Sequence, residues 1–175
     1  RIAFYARAST ERRAVDLGML GLELLAKRNV NFEVDFFGSQ NAIVEAPFPF
    51  VDHRVTSPEK AGEIFAQADV GMVFSATNYS LVVQEMMACG LPVIELSGDN
   101  NTRVIPENTA TLVEPRPDAI ASGLELLLGD EKRRRVQADK ALKWVRQLSW
   151  FDAARAVEAG LIERLGRYGE DTAND

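Results

Sequence analysis

The sequence predicts an α/β fold in which helices cover both faces of a Rossmann-like parallel sheet of about six strands. Short apolar runs alternate along the chain with amphipathic segments of ten or more residues, and this alternation is typical of βαβ units. The chain has 175 residues, of which 46% are hydrophobic and 26% charged, so it can bury one core. We therefore expect one domain over residues 1–166 and a polar, disordered tail over residues 167–175.

The strands are predicted from apolar runs that turn residues bound on either side. They cover residues 2–6, 32–37, 51–55, 69–74, 91–96 and 110–113. A first helix is indicated by apolar residues at helical spacing, which are Ala14, Leu17, Leu20, Leu24 and Leu25. Three last helices are expected over residues 117–128, 131–148 and 150–165, with Trp150 and Phe151 in the core.

Two central helices carry terminal signals. Ser57 is a predicted N-cap, because Pro58 follows it at the first helical position. The helix over residues 80–89 is nearly all apolar, which predicts burial on most sides and a buried, inert Cys89. Gly90 is expected to end that helix in the left-handed conformation.

Composition excludes several function classes. A net charge of −6 argues against nucleic acid as a partner, since its phosphates need clustered Lys and Arg. Cys89 is the only cysteine and His53 the only histidine, so neither an internal disulfide nor a His-rich metal site is expected. The chain begins directly in a strand without an initiator Met, which suggests a fragment of a longer protein.

The loop after the first strand concentrates positive charge. Arg7, Arg12 and Arg13 fall within seven residues of an otherwise acidic chain. Ligands of open parallel sheets collect beyond the carboxyl ends of the strands, where these arginines are predicted to lie. Cations at a helix N-terminus oppose the helix dipole, so an anionic ligand is the favoured explanation, with a solvated helix start as the alternative.

A second loop, over residues 75–80, leads into the apolar helix. The N–H groups at the start of that helix would face a phosphate directly. Glu85 lies one turn further along, and its carboxylate could accept hydrogen bonds from two hydroxyl groups, as a ribose diol would supply. The alternative is that Glu85 and Gln84 form a narrow solvated stripe.

Residues 75–94, and above all Glu85-Met86-Met87-Ala88-Cys89-Gly90-Leu91-Pro92-Val93-Ile94, resemble the signature of GT-B glycosyltransferases of the GT4 type. The matching part of that family is the C-terminal domain, which binds the nucleotide sugar and is one half of the GT-B fold. The spacing of Arg7 and Arg12 supports the resemblance. Residues 4–10 resemble, more faintly, the rhamnosyltransferase branch.

The resemblance implies a role for each candidate residue. Arg7 and Arg12 would grip the donor diphosphate and stabilise it as a leaving group, and Glu85 would take the ribose hydroxyls. The base would rest near Val55. The loop before the helix would contact phosphate and sugar through Asn78, Tyr79, Ser80 and Leu81. No residue is identified that performs the chemical step.

The resemblance also implies the partners. The donor would be a UDP-, GDP- or dTDP-sugar, no cofactor or metal would be needed, and transfer would retain the anomeric configuration. A missing N-terminal domain would hold the acceptor, so this fragment alone would be inactive. The protein would be cytoplasmic and would take part in polysaccharide biosynthesis. It would associate with the inner face of the membrane only through the missing part or the acceptor.

The sequence departs from the family pattern at one informative position. The family has a pair of glutamates eight positions apart, and Thr77 stands eight positions before Glu85. A neutral threonine cannot place negative charge beside the donor sugar. Nucleotide binding is therefore predicted more firmly than any detailed mechanism, and base, sugar, acceptor and linkage stay open.

Two other classes of protein fit the sequence less well than a transferase. A sugar-nucleotide epimerase of the GT-B fold would need titratable groups near the sugar, and this half offers few. A non-enzymatic nucleotide-binding or interaction module of receiver type would need an acidic cluster after the first strand. Ala6-Arg7-Ala8 stands there instead, which disfavours it.

Overall fold

The chain is described here by a computed structural model that gives the backbone of residues 1–171 and the side chains of residues 1–165. All six predicted strands are present. They are β1 (Ile2–Tyr5), β2 (Val34–Phe37), β3 (Phe50–Asp52), β4 (Val70–Met72), β5 (Val93–Leu96) and β6 (Thr111–Val113). Every pairing is parallel, and the order across the sheet is β3-β2-β1-β4-β5-β6, which confirms the Rossmann-like prediction.

Within residues 1–171, seven α-helices connect and cover the strands. They are α1 (Val15–Lys27), α2 (Pro58–Gln67), α3 (Leu81–Ala88), α4 (Asp99–Thr102), α5 (Pro117–Gly129), α6 (Glu131–Val145) and α7 (Trp150–Asp171). A short 3-10 helix, Glu11–Arg13, precedes α1, and neither it nor the four-residue helix α4 was predicted. Both are too short to leave a periodic signal in the sequence.

Two apolar layers sandwich the sheet, because side chains of a strand alternate between its faces. On one face Phe4 packs with Leu22 of α1 and Leu124 of α5. On the other face Ala3 packs with Ile64 of α2 and Met86 of α3. Helices therefore lie on both faces, as predicted.

The predicted helix ends are confirmed where a side chain or a glycine sets them. Ser57 Oγ accepts a hydrogen bond from the backbone nitrogen of Lys60 at 3.3 Å, with Pro58 at the first helical position. Gly90 follows α3 with φ +74, the left-handed value that glycine adopts without strain. Within α1, however, Leu20 is 51% exposed, because the face turned to the sheet is that of Leu22 and Leu25.

The C-terminal helix corrects two predictions. It continues through Asp171, so the tail predicted from residue 167 begins inside a helix, and residues 172–175 lie outside the described part. Trp150 and Phe151 are 79% and 69% exposed and do not lie in the core. Helical spacing identifies side chains that share a face, but it does not identify what covers that face.

Candidate functional site

The sheet order creates a crevice between β1 and β4. The chain leaves β1 toward α1 on one face and leaves β4 toward α3 on the other, so the two following loops diverge. Crevices of this kind, at the carboxyl ends of the strands, are where open α/β sheets bind ligands. Both loops singled out from the sequence, residues 6–14 and 75–80, lie at this edge.

A cavity of about 710 Å³ opens beside the crevice, within the usual range of roughly 300–1,000 Å³ for small-molecule sites. Three predicted site residues line it together: Arg7 from the loop after β1, Val55 from the turn before α2, and Glu85 from α3. Arg7 and Glu85 bring opposite charges to the lining of this cavity. The remaining lining is Tyr5, Ser9, Phe37, Gly38, Gln40, Thr56, Ser57, Pro58, Ala61, Gly62, Phe65 and Cys89.

The structure does not bring the other predicted residues into this cavity. Arg12 is exposed and lies outside the lining, although its carbonyl accepts a hydrogen bond from Ala76 N at 2.9 Å. Asn78 is exposed and donates to the Tyr79 carbonyl at 3.1 Å. The roles predicted for these loop residues stay predictions.

Tyr79, Leu81 and Glu85 line a second, more apolar groove of about 640 Å³. Its other wall includes Leu148 and Trp150, so the groove runs from α3 to the start of α7. Glu85 is common to both cavities and stands on the ridge between them. Burial raises the pKa of the Tyr79 phenol, which stays neutral around neutral pH.

The start of α3 has hydrogen-bonding groups without partners, as expected of an anion site. Ser80 is the N-cap residue, but its side chain caps no N–H, and the Ser80 Oγ is buried without a hydrogen-bond partner among the described residues. First-turn N–H groups of a helix have no partner within the helix, so those of Leu81 and Val82 remain available. These N–H groups point toward the loop end where a phosphate would bind.

The predicted burial of α3 on most sides is wrong. Only Val83, Met86 and Met87 are buried, whereas Glu85 and Cys89 are exposed. The helix packs one face on the sheet and turns the opposite face to the two cavities, so its apolar composition overstates its burial. Partial desolvation of the thiol, followed by the nearby Glu85 charge, raises the pKa of Cys89.

A buried polar cluster under the 75–80 loop was missed from the sequence. Glu95 is fully buried in β5, and its Oε1 accepts hydrogen bonds from Ser75 N and Leu96 N, both at 2.8 Å. Arg13, 7% exposed, donates from Nη1 to Ser75 Oγ at 2.6 Å and lies over the Tyr5 ring. A lone glutamate within the apolar run of residues 91–96 was the available signal.

The electrostatics of this cluster follow from its burial. Desolvation raises the pKa of Glu95 to about 8, against the opposing effect of the Leu96 and Ser75 N–H groups and of Arg13. Desolvation also lowers the pKa of Arg13, which nevertheless stays protonated at neutral pH. At neutral pH the cluster therefore carries one positive charge, next to the crevice.

No metal site or membrane span is present in the described part of the chain. It contains no group of three or more His, Cys, Asp or Glu side chains that could hold a metal ion. None of its helices is both long and apolar enough to cross a bilayer.

The fold and the cavity beside the β1–β4 crevice define the class: a GT-B-type, Rossmann-like domain of the glycosyltransferases. The chain belongs to the family described as WsaF, C-terminal domain, whose model matches residues 1–125. The O-antigen biosynthesis protein RfbC of Myxococcus xanthus is 27% identical over 182 residues, which cover 100% of this chain and 14% of that protein.

Solved structures share the fold at low identity. Sucrose-phosphate synthase from Thermosynechococcus elongatus has a TM-score of 0.70 and 23% identity, over 95% of this chain and 46% of that one. HepE of Anabaena in complex with UDP has a TM-score of 0.72 and 13% identity, over 93% and 48%. The C-terminal domain of LpcC, a group 1 glycosyltransferase from Francisella tularensis, has a TM-score of 0.68 and 16% identity, over 83% of each chain.

This chain thus spans about half the length of two of these structures and one seventh of the curated relative. Together the family and the relatives fit a glycosyltransferase domain, and not the epimerase or the non-enzymatic module.

Proposed function

We propose that this domain binds a nucleoside diphosphate sugar at the β1–β4 crevice and helps transfer the sugar to an acceptor. The observation that carries the proposal is the convergence of Arg7, Val55 and Glu85 on one cavity from three separate elements. The ligand they suit has an anionic part for Arg7, hydroxyl groups for Glu85 and an apolar ring edge beside Val55.

Each of these residues contacts a different part of the ligand. Arg7 neutralises the diphosphate, and the N–H groups at the start of α3 stabilise the charge that develops as the diphosphate leaves. Glu85 accepts hydrogen bonds from the ribose hydroxyls. Arg12, from the 3-10 helix, and Asn78 and Tyr79, from the 75–80 loop, lie at the same edge of the sheet and would contact phosphate and sugar once the donor is bound.

Structures that share the fold support this choice of ligand. HepE is described in complex with UDP, with UDP and glucose, and with UDP-glucose. A trehalose-6-phosphate structure from E. coli is described as bound with UDP-2-fluoro glucose. We therefore propose a UDP-, GDP- or dTDP-sugar donor, with no further cofactor.

The acceptor would be held by an N-terminal domain of the same protein. Helix α7 supports this part of the proposal, because every described side chain of the helix is exposed and many are large and apolar. They are Trp150, Phe151, Val157, Leu161, Ile162 and Leu165. Such a surface needs a covering partner in the complete protein.

As part of the same proposal, transfer retains the anomeric configuration and needs no metal, since Arg7 and helix N–H groups supply the charge stabilisation. The protein would act in the cytoplasm, at the inner face of the membrane through its acceptor or its other domain.

Titration with UDP, GDP and dTDP, followed through backbone amide shifts, tests the proposal. We expect one nucleotide to shift the amides of Leu81, Val82 and Glu85 and those of residues 7–9. Shifts absent at millimolar concentrations of all three nucleotides would overturn it.

A further inference from the structure

Ser75 is held at each of its polar groups by a side chain from another element. Its N–H donates to Glu95 Oε1 at 2.8 Å, and its Oγ accepts from Arg13 Nη1 at 2.6 Å. Its carbonyl accepts from Asn100 Nδ2 at 2.9 Å and Asn101 Nδ2 at 3.2 Å. The first residue of the 75–80 loop is therefore tied to β5, to α4 and to the 3-10 helix at once.

The cluster connects the two loops that flank the crevice. Arg13 belongs to the loop after β1, and Ser75 begins the loop after β4. A second link joins the same loops, since Ala76 N donates to the Arg12 carbonyl at 2.9 Å. Any change in the Glu95–Ser75–Arg13 contacts therefore acts on both sides of the site.

Three buried atoms of the cluster have unused hydrogen-bonding capacity. Glu95 Oε2, Arg13 Nε and Asn101 Oδ1 have no hydrogen-bond partner within the described residues. A buried polar atom without a partner is costly, and such atoms are rare in folded proteins. Their presence around a single serine marks the cluster as more than a packing feature.

We propose that Glu95 is a positioning residue for donor binding, which holds the 75–80 loop through Ser75 and sets how much of the Arg13 charge a diphosphate experiences. This inference rests on the proposed function. It also gives the domain an acidic group near the loop in which Thr77 replaces the family's first glutamate.

The direction of the charge effect follows from the surroundings of Glu95. When Glu95 is protonated, the Arg13 charge is uncompensated and attracts the diphosphate. When Glu95 ionises, with a pKa of about 8, the pair becomes neutral and the attraction weakens.

The other groups around the cluster lie on several elements. Tyr79 stays neutral because burial raises its pKa, and Leu112, which pairs with Glu95 across β6, is apolar. On α4, Asp99 is exposed and paired with Arg103 at 3.2 Å. Desolvation, followed by repulsion from Arg12 and Arg7, lowers the pKa of Arg13.

Nucleotide affinity as a function of pH tests the inference, with Glu95→Gln as the matched variant. Glutamine keeps the Oε1 acceptor for Ser75 N and cannot ionise. Whichever of UDP, GDP and dTDP binds most tightly is titrated into both proteins between pH 7 and 9. The ratio of the two dissociation constants cancels the ionisation of the ligand itself.

We expect this ratio, wild type over variant, to rise about three- to tenfold across the range. In the free wild-type protein the Ser75 and Leu96 amide shifts should titrate with a midpoint near the Glu95 pKa of about 8, and in the variant they should not. A constant ratio, or Ser75 shifts that do not titrate, would overturn the inference while leaving the proposed function intact. Absence of nucleotide binding to the wild type would instead overturn both.

Discussion

Glu95 Oε1 lies 2.8 Å from the backbone nitrogen of Ser75, so a carboxyl group buried in β5 anchors the loop that leaves β4. The same oxygen accepts from Leu96 N at 2.8 Å. This side-chain hydrogen bond links β5 to the end of β4, beyond the last backbone pairing of the two strands. It lies at the edge of the sheet where the ligand would bind. The loop before α3 therefore starts from a fixed point.

The stability of the domain should fall with rising pH because of Glu95. Its pKa is raised from 4.5 to about 8 in the folded protein, so between these values the folded state holds a proton that the unfolded state has lost. The contribution of this proton to the free energy of unfolding is full below pH 4.5. It is lost as pH rises toward 8, at about 1.4 kcal/mol per pH unit.

Urea unfolding at several pH values in this window measures the slope, and Glu95→Gln serves as the reference that does not titrate. We expect the free energy of unfolding to decline more steeply with pH in the wild type than in the variant. Parallel profiles would show that Glu95 has an ordinary pKa.

Asn101 should be important for stability, and its neighbour Asn100 should not. Asn101 is fully buried and donates from Nδ2 to the carbonyls of Ser75 and Leu96, at 3.2 and 2.9 Å. Asn101→Ala removes both donors from a buried site, which should cost about 2–4 kcal/mol. Chemical denaturation provides the measurement.

Asn100→Ala is the matched control, since half-buried Asn100 makes one bond to the same Ser75 carbonyl at 2.9 Å. Its loss should cost about 1 kcal/mol or less, because water can replace it. Equal losses from the two variants would contradict the importance assigned to burial.

The fold could be predicted from the sequence because its signals are local. Alternating strands and helices, the Ser57 cap and the left-handed Gly90 each depend on a few neighbouring residues. The environment of Glu95 could not be predicted, because its partners Arg13 and Ser75 are distant in the chain. The burial of α3 was predicted wrongly from its apolar composition for the same reason. Residue type does not show which face of a helix another element covers.

The candidate site was predicted in part. Arg7 and Glu85 come together with Val55, as the topology of a parallel sheet requires of residues at strand ends. Arg13, to which the resemblance gave no role, is instead the arginine with specific buried contacts. Arg12 and Arg13 are adjacent and have the same sequence signal, and the turn of the 3-10 helix Glu11–Arg13 decides that Arg13 is the one that points inward.

Glu85→Ala should weaken nucleoside diphosphate binding far more than inorganic phosphate binding. The proposed partner of the carboxylate is the ribose, and loss of a charged hydrogen-bond acceptor costs about 1.5–3 kcal/mol, or roughly ten- to a hundredfold in affinity. Glu125→Ala, which removes an exposed carboxylate from α5 on the opposite face, is the control and should leave both affinities unchanged. Equal losses of both ligands in Glu85→Ala would contradict the ribose assignment.

Cys89 should report occupancy of the cavity. It is the only cysteine, it is exposed, and it lines the cavity with Glu85 and Arg7. Because its pKa is raised, little thiolate exists at neutral pH, and alkylation by iodoacetamide should accelerate about tenfold per pH unit below that pKa.

A nucleoside diphosphate at ten times its dissociation constant should slow alkylation about tenfold, since only the empty fraction reacts. The mass increase of the intact chain over time gives the rate. Inorganic phosphate at the same concentration should protect much less, because it does not reach from Arg7 to the α3 face, and an unchanged rate at saturating nucleotide would place the ligand elsewhere.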